Sequence, residues 1–142
     1  MLLSGIFLFS EVKSMKEKKI KVLKIAPGKA PEIVWLQNEL TALQEAVSIG
    51  ADYTGLIEIV ELDSTTCILC NEEGKLIGLE PNRRLGRDIL CGVFYITGQM
   101  KDGSLASLPD MAMETYARLF ADPEVIDPDE VADTLVTHFT IY

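Results

Sequence analysis

The chain has 142 residues, 48% of them hydrophobic and 25% charged, with a formal net charge of -9. That is the size of one domain with a genuine core, and an acidic balance argues against direct nucleic-acid binding, which needs clustered Lys and Arg. The apolar N-terminal run MLLSGIFLF falls short of the roughly 18–20 apolar residues of a membrane span.

That run also lacks the parts of a signal peptide: no positive charge precedes it, and no small-residue cleavage site follows before Glu11 and Lys13. The Ser10-Glu11-Val12 codons can spell a ribosome-binding sequence shortly before the codon of Met15. Residues 1–14 are therefore expected to be a translated leader and residues 15–142 a single domain; the nucleotide sequence decides this.

In chain order, Ile20, Val22 and Leu23 to Ile25 predict a strand, broken by PGKAPE, in which Pro27 and Pro31 fix φ. EIVWL is a second short extended piece. Leu36, Leu40, Leu43 and Val47 recur at helical spacing, with Asn38 as the expected cap and Gly50 at the end. GLIEIVELD and DSTTCILCN predict a hairpin linked at Asp63-Ser64, and NEEGKLIGL a turn followed by a short strand. PNRRLGR is expected to be a loop or one helical turn. DILCGVFYITG, nearly all apolar, predicts a central strand. PDMAMETYARLFADP predicts a helix, Asp127-Pro128 starts another, and LVTHFTIY could end the chain as a strand. Together these give an α+β class: a mostly antiparallel sheet of four to six strands with two or three helices.

Three cysteines, Cys67, Cys70 and Cys91, are an odd number in apolar contexts, which suits a reducing cytoplasm better than a disulfide framework. CILC has the letters of a metal motif. In a strand, however, residues three apart face opposite ways, so no metal and no cofactor is expected. One histidine, His138, without a nucleophile or metal motif around it, argues against an enzyme.

The charged residues are unevenly placed. Seven of the 13 basic residues lie between Lys13 and Lys29, and from Asp102 onward there are nine acids and one base. Arg83, Arg84 and Arg87 cluster beside Asn82. Guanidinium forks match phosphate or carboxylate oxygens, so these four residues are the candidate site for an anionic ligand. Glu80 and Asp88 bracket them, and an internal ion-pair network is the competing reading. Asp122, Glu124, Asp127, Asp129, Glu130 and Asp133 form a second candidate, an acidic face for a basic partner.

LKIAPGKAPE, LQNELTALQEAV, IEIVELD, CNEEGKLIGLEPNRRL and GVFYITG resemble the family catalogued as domain of unknown function 3846, over roughly Lys19 to Phe120. The resemblance implies an intracellular protein of phage, plasmid or integrative-element origin, and carries over no catalytic residue because none is assigned to the family. The resulting expectation is a non-enzymatic cytoplasmic accessory protein that binds an anionic, nucleotide-like molecule or a host protein. Its sharpest form is a counter-defence nucleotide sponge that assembles as a homo-oligomer. The rival is an acidic nucleic-acid mimic that occupies a DNA-binding host enzyme. An interaction domain of structural role is a further alternative.

Overall fold

A computed structural model describes residues 17–140, with side chains as far as residue 135; the expected leader lies outside the described residues. Strand β1 (Lys19–Ile25) turns into β2 (Glu32–Gln37), helix α1 (Leu40–Ala46) follows, and β3 (Ile57–Asp63) and β4 (Thr66–Asn71) form a hairpin. Strands β5 (Pro81–Leu85) and β6 (Asp88–Cys91) make a separate two-stranded sheet. Strand β7 (Phe94–Gln99) returns to the main sheet beside the short β8 (Leu105–Ala106), and α2 (Asp110–Leu119) and α3 (Pro128–Thr140) complete the chain. The main sheet has six strands in the order β2-β1-β7-β4-β3, with β8 also paired to β7, and all its pairings are antiparallel. This is the expected α+β class.

Alternation along the strands divides the apolar residues between two faces. On one face Leu23, Ile25, Ile68, Cys70, Phe94 and Ile96 pack under α2 through Met113 and under the terminating residue Phe120. Phe94 and Phe120 meet edge to face, centroids 5.5 Å apart, a favoured aromatic geometry. On the other face Ile20, Val22, Cys67, Leu69 and Tyr95 pack under Leu43 and Val47 of and just after α1. Strands β4 and β7 are apolar on both faces because both faces are covered. A third cluster, Leu79, Ile89 and Cys91 with Ile126 and Val131, seats the start of α3 against the β5–β6 hairpin.

Five local expectations are corrected. PNRRL is strand β5, because Asn82 and Arg83 turn inward and Gly86 at φ +59° closes a tight turn to β6. DILCGVFYITG is two strands: Gly92, at φ +82° and packed so that a Cβ would lie 2.7 Å from the Leu79 side chain, lets the chain leave one sheet and enter the other. Residues 72–78 are successive turns with no strand. LVTHFTIY continues α3 through Thr140. Asn38 does not cap α1; its amide donates to the Glu17 and Leu105 carbonyls and ties β2 to β8. Among the described residues no helix is long and apolar enough to cross a membrane.

Candidate functional site

The β5–β6 hairpin decides what the arginine cluster can do. Asn82 is buried, donates to the carbonyls of Ile25 and Gly92 (both 2.9 Å) and accepts from Arg83 Nη1 at 2.7 Å. Arg83 is 0% exposed. Its Nη2 donates to Lys29 O at 2.7 Å and Phe120 O at 3.1 Å, and its Nε also reaches Phe120 O. The guanidinium thus joins the β1–β2 turn, the hairpin and the C-terminal end of α2. That helix end carries the negative pole of the helix dipole, a natural seat for a cation. Burial pushes the Arg83 pKa down, while Glu124 and Asp122 push it back up. A side chain with no exposed surface and its donors on carbonyls serves the fold, and a ligand would reach it only by opening the domain.

Arg84 points outward and is already held. Its Nε and Nη2 form a fork on Glu130 (2.6 and 2.8 Å), and its Nη1 donates to Glu124 Oε1 at 2.8 Å. The hydrogen bonds from Glu130 and then Glu124 raise the Arg84 pKa, and the Arg84 hydrogen bond lowers that of Glu130. Arg87 stands exposed in the hairpin turn, with no hydrogen bond or ion pair among the described residues. Beside it Lys75 pairs with Asp88 and also donates to Thr134 of α3 at 3.2 Å.

The acidic candidate is drawn into the same network. Glu124 and Glu130 neutralise Arg84, and Asp127 accepts the Asp129 amide at 2.9 Å where α3 begins. Asp122, Asp129 and Asp133 are exposed. The basic and acidic candidates therefore meet each other across the fold, and together they fasten α3 to the hairpin.

The fastening has a pH consequence. Because Glu130's folded pKa lies below its ordinary 4.5, its contribution is fully present above that value and is lost as pH falls through the folded one. Hydrogen exchange of the α3 amides, corrected for intrinsic rates, is expected to accelerate over that acid range. Glu130→Gln should remove this step; an identical acid response in the variant would show that the pair does not hold the helix.

The thiols are poor nucleophiles. Cys67 and Cys70 lie on opposite faces of β4, one in each core cluster, so they share no ligand. Burial, then the carboxylate of Glu58, pushes Cys70 up to about 12, and burial raises Cys67 and Cys91 as well. Among the described residues no group of His, Cys, Asp and Glu is arranged to hold a metal. His138 lies on α3, outside the residues whose side chains are described.

A feature the sequence did not disclose lies on the α1 face of the sheet. Helix α1 covers β1, β7 and β4 but leaves the β3 side open, and a groove of about 520 Å³ runs there between α1, β3 and the β8 turn. Leu40, Leu43, Leu56, Ile57, Ile59 and Leu105 give it an apolar floor and walls, and Asn38, Gln44 and Glu72 supply polar groups. Leu40 and Leu56 are 67% and 58% exposed, Ile59 47%. Glu61 stands on the same face, opposite Cys67. The groove was hidden because its residues come from four separated stretches, and the apolar period of β3 reads equally well as core.

The family described as Domain of unknown function (DUF3846) matches residues 20–121 of the chain. No curated protein and no solved structure matches it.

Proposed function

We propose, for a chain that belongs to the DUF3846 family, a non-enzymatic binding role exercised through the groove between α1, β3 and the β8 turn. The ligand is a short apolar segment of another protein, flanked by Lys or Arg. One observation carries this reading: large apolar side chains stay exposed around a concave surface that the Glu72 carboxylate lines, with Glu61 two residues beyond Ile59 on the same sheet face. Contiguous exposed apolar surface of this kind marks interaction sites, and the Glu72 and Glu61 carboxylates favour a cationic flank over an acidic one. The buried thiols, held far from thiolate, support binding over cysteine chemistry.

The anionic-ligand reading has less support. Of its four residues, Asn82 and Arg83 are buried and Arg84 carries two carboxylates, which leaves Arg87 facing solvent. The mimic reading loses Glu124 and Glu130 to the same pairing.

Panning a short random-peptide display library on the protein tests the proposal, with the Ile59→Lys variant as counter-target. Peptides with an apolar core and basic flanks are expected to be enriched on the wild type and lost on the variant. Equal enrichment on both, or acidic consensus peptides, would overturn it.

A further inference from the structure

The main sheet ends in two strands with one neighbour each, β2 and β3, and the two edges are built differently. Exposed acids Glu58, Glu61 and Asp63 line β3, whose register also shifts between Glu61 and Asp63. Charges and bulges of this kind keep an edge from pairing. Strand β2, EIVWLQ, has no charge between Ile33 and Gln37, and its Ile33 and Trp35 are 57% and 62% exposed.

The backbone of β2 is also open for pairing. The Asn38 amide donates to Lys18 O at 2.7 Å, and antiparallel ladders alternate, so the even-numbered residues of β2 bond to β1. Ile33, Trp35 and Gln37 turn their N–H and C=O groups outward. Lys21, opposite Trp35, confirms the phase: its amide donates to Ser107 and its carbonyl accepts from Leu108, on the far side of β1.

We infer that β2 is the contact of a two-fold homodimer, in which β2 of one copy pairs antiparallel with β2 of a second copy and the two main sheets become one. The strand suits itself as partner. With Val34 on the two-fold axis, Ile33 of each copy faces Trp35 of the other, on one face and twice over, an aromatic and β-branched pairing that stabilises sheets. The antiparallel sense brings the Glu32 end of one β2 to the Gln37 end of the other. There Lys19 stands on β1 with Lys18 just before it, so the end charges are complementary. Pro31, which lacks an N–H, falls opposite Gln37 of the second copy in this register, so the ladder ends there on each side. A guarded β3 excludes the head-to-tail alternative, in which β2 would pair with β3 and the chain would grow into a filament.

Sedimentation of the full chain over a range of concentrations is expected to show a monomer–dimer equilibrium. Trp35→Lys should weaken the dimer by on the order of thirtyfold or more, as losing a central Trp does at other interfaces, with thermal unfolding unchanged at concentrations where both proteins are monomeric. Ile59→Lys on the other edge should leave it intact. Val34→Cys should cross-link to itself under mild oxidation, since directly opposed strand residues lie within disulfide reach, while the native cysteines are buried. A monomer at all concentrations, a dimer indifferent to Trp35→Lys, or a Val34→Cys chain that does not cross-link would overturn the inference.

Discussion

Replacing Arg83 with alanine is expected to destabilise the domain by about 3–5 kcal/mol, the scale seen when one member of a buried charged network is removed. The Phe120 carbonyl would be left inside without this donor, the Lys29 carbonyl would lose its link to the hairpin, and Asn82 Oδ1 would lose its partner. An orphaned buried acceptor costs about 1–3 kcal/mol, and the guanidinium's volume would become a cavity. The thermal midpoint should fall on the order of 10 °C. Arg83→Lys should recover little of this, because one ammonium cannot bridge carbonyls that a planar fork joins. An Arg83→Ala protein of unchanged stability, measured by calorimetry, would mean that the network is not what holds the hairpin to the sheet.

Phe94→Ala is expected to cost a similar amount, about 3–5 kcal/mol, from lost burial and the cavity left behind. Phe94 is fully buried at the centre of the α2 face, against the ring of Phe120. Phe120 is also the residue whose carbonyl Arg83 holds. The two substitutions therefore loosen the same anchor, and the double variant should lose less than the sum of the singles. A coupling of about 0.5 kcal/mol or more is expected for groups that share a partner. Strict additivity in denaturant unfolding would show that ring packing and carbonyl capture act independently.

The sequence announced the sheet well where one side of a strand is buried, as in β1, or both, as in β7, since periodicity follows directly from burial. It misled where glycine and tertiary contacts overrode pattern. Gly92 divides an apolar run between two sheets, and nothing in DILCGVFYITG marks the place except the glycine itself. Residues 135–140 alternate as a strand does, yet they continue a helix begun at Pro128. The arginine loop was the instructive case. Four polar residues within six positions read as an exposed turn, and the bracketing acids suggest local pairs with Glu80 and Asp88. Besides the neighbouring Asn82, the partners are the Lys29 and Phe120 carbonyls, 54 and 37 residues from Arg83, and the carboxylates of Glu124 and Glu130, 40 and 46 residues from Arg84. Opposite charge in the two regions was the available signal. The groove and the open β2 edge had none, because both depend on which strands lie at the border of the sheet.

The central claim is that the groove, and not the arginine hairpin, receives the ligand. Amide chemical-shift mapping with two probes tests it most directly: a short leucine-rich peptide with lysine at both flanks, and inorganic pyrophosphate. The peptide is expected to shift Leu40, Leu56 to Ile59 and Leu105 in a saturable way, with pyrophosphate leaving the hairpin from Arg84 to Asp88 unmoved. Saturable shifts at the hairpin with pyrophosphate, and a groove indifferent to the peptide, would contradict the account.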